Sequence, residues 1–531
     1  MDPRLIRPAD RLAAVAVQGA VALACVIVVM VVGRGRTFFF DEWDWVQYRS
    51  QGGLEALMRP HNGHLMPLPV ALYRLQFTVL GFAPAWPVRL VTIVAHVAAA
   101  GVLYRLARLR VGGAGAAAAA LVFLCLGAAW QTLLWGIQLS VTLAVLGGLV
   151  AWLALDRNTP TADVTACVAL VVSTASFSIG PVFAVAVAVE LAASRRLRTS
   201  WWIPAAPLGL FAVAYLAYGE STLTAVGVRG AAGWALDAGG AAAGGLAVLG
   251  PNWGLVVLAM LGVAITVAVL RRRFTPRLAS LVVAGLLFWT LTGASRSSGP
   301  NVDSPLASRY IEIGAPIILL VVVELCRGRT LAGWWRVPVA VIVAICVWRG
   351  ASEIVEQGAL LRRNSDEVLA AVAAMEISRP HVDPNLIPVP VAAPQIRAEN
   401  YFDAVDSVRS SAVGDPGARL GSLPEEARLA GDALLAGIEL RGTPAPVDPA
   451  GCHDVRGDDL VELRPGTAVR IGATAEPVSL YVRRFADGFP GTPSMSVAPN
   501  GATLVEVLVD GAAQPWQLRA SSPAPFRVCP A

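Results

Sequence analysis

Three carboxylates fall within four residues in the run Phe38-Phe39-Phe40-Asp41-Glu42-Trp43-Asp44-Trp45. A carboxyl group set among aromatic side chains loses water. Its pKa rises and it becomes a better general base. Clustered carboxylates also supply the oxygen ligands a divalent cation needs. Flat aromatic faces suit the apolar C–H patches of sugar rings. The blander account is an interfacial aromatic belt with solvated acids, but three acids are more than a belt needs. Asp41, Glu42 and Asp44 are therefore the candidate catalytic residues. Asp41 and Glu42 are candidate ligands for magnesium or manganese, the one cofactor these residues suggest.

Shortly afterwards comes Arg59-Pro60-His61-Asn62-Gly63-His64, which holds two of the five histidines in the chain. Such residues bind metal, move a proton, or hydrogen-bond a phosphate or a sugar hydroxyl. The plain alternative is a polar turn forced by Pro60 and Gly63. A third locus is Ala307-Ser308-Arg309-Tyr310-Ile311-Glu312. The Arg309 fork matches a phosphate or pyrophosphate at headgroup depth. An anchoring arginine, or a structural ion pair with Asp303, Arg296 and Glu312 close by, accounts for it equally well. His61, Asn62, His64, Arg309 and Tyr310 are the candidate substrate- and phosphate-binding residues. His96 lies inside an apolar run and reads as an interhelical hydrogen bond.

These loci need elements to hold them, and composition says which. Of 531 residues, 56% are hydrophobic and 15% charged, against about 25% charged in soluble domains. Mean hydropathy is +0.61. A wholly soluble or disordered chain is excluded. Net charge is +5, and all 42 basic residues are arginine. They cluster between apolar runs, which points to a bilayer and away from nucleic acid. No CxxC, P-loop, GxSxG, HExxH or dinucleotide fingerprint stands in a plausible context.

A spanning helix needs about 20 apolar residues. The expected spans are 12–32, 86–104, 116–135, 137–155, a hairpin within 164–191 broken at Gly180-Pro181, then 202–218, 254–270, 278–291, 311–325 and 337–347. Counted so, eleven spans put every arginine-rich short loop in the cytoplasm, along with the N-terminus and its Arg4, Arg7 and Arg11. The segment 66–82, with two prolines and Arg74, is expected to lie along the outer surface. The Gly/Ala-rich stretch 219–252 reads as a connector, or as a lid.

The expected organisation is a helical polytopic membrane bundle over 1–350 with its first outer loop at 34–85. A mostly helical extracytoplasmic region follows over 351–450, and a small β-sandwich over 451–531. Short alternating runs at 460–463, 468–471, 478–482, 503–509 and 516–518, separated by turns, carry the sandwich expectation. Cys452 and Cys529 bracket it and are placed to form a disulfide outside the cytoplasm.

A span-rich chain with Asp41-Glu42 and Asp44 after its first span, Ser308-Arg309-Tyr310 before a late one, and an outer tail resembles the GT-C class of integral membrane glycosyltransferases. The resemblance covers roughly residues 1–350 in architecture. It implies a polyprenyl-phosphate-linked sugar as donor, an envelope glycan or glycoprotein as acceptor, and chemistry on the outer face of the cytoplasmic membrane. It also implies an acidic residue of the first loop as base or metal ligand, Arg309 on the lipid phosphate, and an accessory sandwich. Two other readings stay open. A transporter or flippase of lipid-linked sugars would use the broken hairpin, and an envelope scaffold would use the bundle only as an anchor.

Overall fold

Runs of Ala, Val and Leu without strand-like alternation make helices through most of the first 380 residues. The computed structural model describes residues 8–299, 302–331, 333–446 and 451–530. The basic flank Arg4, Arg7 and Arg11 lies outside the residues whose side chains are described. Contacts divide the chain into two units. One comprises Met1–Arg34, Gly52–Gln76 and Ala85–Leu360; the other comprises Gly35–Gln51, Phe77–Pro84 and Leu361–Ala531. Two pieces of the stretch 34–85 thus belong to the second unit.

Among the described residues of the first unit and the helix leaving it, five helical stretches are long and apolar enough to cross a membrane. They are Trp86–Leu134, Gly136–Leu155, Pro251–Leu270, Pro276–Arg296 and Gly333–Ile377. Gly19–Val32, Pro160–Ser176, Gly180–Ala193 and Trp202–Tyr218 are apolar but shorter. The runs 86–104 and 116–135, expected as two spans, fall on either side of a kink within the helical stretch Trp86–Leu124. Two helices meet there at Gly112, whose backbone is not helical (φ 77°, ψ 179°). The broken hairpin does form, as Pro160–Ser176 and Gly180–Ala193. A Cβ on Gly180 would lie 2.3 Å from the Thr174 backbone, so glycine lets the two halves meet. The segment 66–82 contains the helix Pro67–Leu80.

The connector expected over 219–252 is instead mostly a helix, Ala225–Ala247, capped by Thr224 Oγ1 accepting from Gly227 N at 2.9 Å. Its glycines are the reason. A Cβ on Gly254 would come within 1.8 Å of the Gly240 carbonyl oxygen, so Ala225–Ala247 and Pro251–Leu270 pack backbone to backbone. Small residues associate helices in lipid by close approach, not by hydropathy.

Not all the arginine clusters are simple topology markers. Arg110 donates to Glu324 and, at 3.0 Å from each of two nitrogens, to Asp156. Arg277 donates to Glu190 at 2.7 and 2.9 Å and to Asp156 at 3.1 Å. This buried network joins five helices. His96 also behaves as expected of an interhelical contact: Nδ1 lies 2.8 Å from Glu312 Oε1, and Nε2 lies 3.2 Å from the Leu124 carbonyl oxygen.

The second unit carries the sheet: β1 (Leu440–Pro444), β2 (His453–Leu463), β3 (Ala468–Ala473), β4 (Val478–Arg483), β5 (Met495–Val497), β6 (Ala502–Val507) and β7 (Trp516–Pro530). In place of two separate sheets, all seven strands hydrogen-bond into one, in the order β1-β6-β3-β7-β4-β5 with β2 also on β7. β7 makes this possible. Its first half pairs β4 (Val482↔Leu518), its second half pairs β3 (Ile471↔Val528), and β2 runs along most of its length (Leu463↔Trp516 to His453↔Val528). Cys452 and Cys529 form the expected disulfide. A buried guanidinium, Arg484, ties the helix Glu425–Glu439 to the sheet. It donates to Glu439 at 3.0 Å and to Asp510 at 2.5 and 3.1 Å. Burial, and the shared hydrogen bond with Asp510, push the Glu439 carboxyl up to about 8.

Candidate functional site

In the first unit the sequence His61-Asn62-Gly63-His64 forms a tight hairpin. Asn62 (φ 51°) and Gly63 (φ 79°) both take positive φ, as an Asn-Gly primed turn requires. His61 N donates to the His64 carbonyl and His64 N to that of His61, each at 2.9 Å. A Cβ on Gly63 would lie 2.3 Å from Thr222 Cγ2. The polar turn weighed from the sequence is thus present and seated, but its histidines are not exposed: His61 is buried and His64 half-buried.

That seating fixes the His64 ring. Arg296 Nη2 lies 2.6 Å from His64 Nε2 and donates to the Asn62 carbonyl at 2.8 Å. A guanidinium can only donate, so Nε2 is an acceptor there. Nδ1 then carries the proton, which it gives to Ser178 Oγ at 3.0 Å. Phe177 packs against the same ring, with centroids 4.3 Å apart. Both partners come from the break between Pro160–Ser176 and Gly180–Ala193. Enclosure by protein, then the charges of Arg296, His61 and Arg309, hold the His64 pKa well below the usual 6.5. His64 is a neutral imidazole at physiological pH.

Arg309 and Tyr310 sit at the start of the helix Ser308–Leu325. Arg309 donates to Asp303, and the Tyr310 hydroxyl donates to the same carboxylate oxygen at 2.6 Å. Gln131 Oε1 accepts from Arg309 N at 3.3 Å and Nη1 at 3.4 Å. The structural ion pair weighed from the sequence is thus present, with Asp303 as the partner. The indole of Trp234 donates to the Asp303 carbonyl at 3.1 Å and meets the Tyr310 ring edge-on at 5.1 Å. Beside Gln131 and Ser308 a cavity of about 530 Å³ opens, with Arg349, Glu353 and the backbones of Gly245 and Gly350 among its walls. Cavities of this size hold small ligands.

The carboxylates belong to the second unit. Asp41 stands before the short helix Glu42–Tyr48. Asp41 and Asp44 are half-buried, and one oxygen of each lies within 4.8 Å of the other's. Residues three apart share a helix face. Gln395 Nε2 donates to Asp41 Oδ1 at 3.3 Å, and Gln395 is itself held by Gln47, which donates to its carbonyl at 2.8 Å. Glu42 points elsewhere. It is 2% exposed, and Oε2 accepts from Phe39 N at 2.8 Å. The expected cation pair, Asp41 with Glu42, is therefore better supplied by Asp41 with Asp44. The aromatics are mainly core. Phe38, Trp43 and Trp45 are at most 2% exposed, and Phe38 packs edge-on against Trp43 and Phe77 at 5.8 Å. They build the platform, leaving Phe39 half-buried and Phe40 exposed.

Sequence reasoning passed over Ser178 and Gln131 and noticed Arg296 only as a neighbour of Arg309. The one available signal was the helix break at 176–181.

No protein-family model matches the chain, and no curated protein matches it. Among solved structures, ArnT from Cupriavidus metallidurans, crystallised in the apo state, aligns with 75% of this chain and 84% of its own. The sequence identity is 14% and the TM-score 0.46.

Proposed function

We propose that the chain is a membrane glycosyltransferase of the GT-C type, moving a sugar from a polyprenyl-phosphate carrier to an envelope glycan or glycoprotein on the outer face of the cytoplasmic membrane. One observation supports this reading most: Arg296 is held 2.6 Å from the ring of the seated His64, in a unit of long apolar helices that also carries Arg309. A guanidinium seated at a turn suits an anion with several oxygens, such as a phosphate diester. In this reading Arg296 and Arg309 bind the lipid phosphate and stabilise it as it leaves. His61, Asn62 and Tyr310 contribute hydrogen bonds, and neutral His64 orients Arg296. The cavity beside Gln131 receives a sugar.

Glycosyl transfer to a hydroxyl also needs a group to take the acceptor proton. Asp41 and Asp44 are the proposed carboxylates, either directly or as oxygen ligands of magnesium or manganese; Glu42 positions the segment.

The test replaces Asp41→Asn, Glu42→Gln, Asp44→Asn and Arg296→Gln singly. Transfer of radiolabelled sugar from polyprenyl phosphate to envelope material is then measured in membranes with matched protein levels. The expected result is a loss of at least about 100-fold for Asp41→Asn or Asp44→Asn and a smaller loss for Glu42→Gln. Full product from all four variants sinks the assignment. Label that crosses the membrane but stays lipid-linked would indicate a carrier instead.

A further inference from the structure

A second groove of the first unit meets the cavity beside Gln131 only at Val122. It lies between the second half of Trp86–Leu124, the helix Ser308–Leu325 and the start of the helix Arg336–Ile377, and encloses about 680 Å³. Its walls are apolar, with Ala118, Ala119, Val122, Leu319 and Val343 among them. Its lip is open: Val322, Ile342 and Trp335 are 40%, 57% and 48% exposed. A chain in the surrounding bilayer can therefore enter sideways.

One end differs. Arg329, Thr330 and Trp335 line it, and the rim there is fixed. Gly328 N donates to the Arg110 carbonyl at 2.9 Å, pinning the turn after Ser308–Leu325 against the break at Gly112. A Cβ on Gly112 would sit 3.4 Å from Thr330 Cγ2. The neighbouring cations are committed, Arg110 to Glu324 and Asp156, and Arg327 to Glu324. Arg329 is exposed, and no carboxylate pairs with it among the described residues.

We propose that this groove binds an anionic glycerophospholipid. An acyl chain lies along the Ala and Val walls, and Arg329 takes the phosphate beside the Thr330 hydroxyl and the Trp335 indole. Apolar walls alone would accept any chain. A guanidinium at one end selects a negatively charged head, and an indole suits the same depth. The site shares no residue with the His64–Arg296 cluster and, of the walls named, only Val122 with the cavity beside Gln131, so lipid retention tests it apart from glycosyl transfer.

The test uses the full chain in a neutral detergent, exchanged with dioleoylphosphatidylglycerol or dioleoylphosphatidylcholine. These share acyl chains and differ in head charge. Lipid retained per protein is read by mass spectrometry of the intact complex. The expected result is preferential retention of the anionic lipid. Arg329→Gln should lower it about fivefold, the worth of one basic side chain near a charged head, and leave the zwitterionic lipid unchanged. Ala119→Phe, which fills the groove, should lower it with Arg329 intact. Equal retention of the two lipids by the unaltered chain overturns the proposal, as does unchanged anionic lipid in Arg329→Gln. Displacement of the phospholipid by an equimolar polyprenyl phosphate also overturns it.

Discussion

If His64 is neutral because Arg296 faces its Nε2, that fact leaves a signature in stability against pH. A histidine whose folded pKa lies well below 6.5 binds no proton in the native state where the unfolded chain does. Its contribution is fully present above pH 6.5 and is lost as pH falls from there through the depressed folded value. Over that window one such group changes stability by at most about 1.4 kcal/mol per pH unit. Domains of 150–250 residues shift their midpoint by about 2–4 °C per kcal/mol, and the larger helical unit should sit at or below the lower figure. The perturbation is His64→Gln, read by tryptophan fluorescence on the full chain in detergent between pH 5 and 7.5. The variant is expected to be less stable than the parent at pH 7.5, with the gap narrowing as pH drops below 6.5. The remaining histidines and carboxylates are common to both chains and cancel in the difference. A gap that stays constant, or widens, between pH 6.5 and 5 refutes a depressed His64 pKa and with it the claim that Arg296 keeps this ring neutral.

Two further outcomes follow from the same geometry. Gly63→Ala places a methyl 2.3 Å from Thr222 Cγ2 at φ +79°; a strain of about 1–3 kcal/mol should appear as a lower unfolding midpoint, and adding Thr222→Ser, which removes that methyl, should recover part of it. Reducing Cys452–Cys529, which closes a separation of 77 residues, should cost the sheet about 4–5 kcal/mol, seen as faster proteolysis of the second unit under reductant.

How much of this could be read from residues alone varies with the kind of force involved. Hydropathy marks the long helices, and alternation finds five of the seven strands. The break at Gly180-Pro181 is visible because proline and glycine punctuate locally. Ala225–Ala247 is not, because its helix is held by close backbone approach, which hydropathy does not measure. β1 and β5 are short edge strands without a period long enough to count. The acids, the histidine pair and Arg309 stand out as residue types, yet nothing local says that Glu42 turns to the backbone or that Asp303 takes Arg309. The partnership of His64 with Arg296 joins positions 232 apart, and only packing creates it.

The pairing of β7 with β2, β3 and β4 bears on biosynthesis. The strand that completes these three pairings follows all of them in the chain, so as the polypeptide emerges they wait with open edges. Unpaired edges invite wrong partners. The β1-β6-β3 ladder and the β4-β5 pair can form before β7 is made, but only β7 joins them and β2 into one sheet. The sheet is therefore completed only when the last strand is in place.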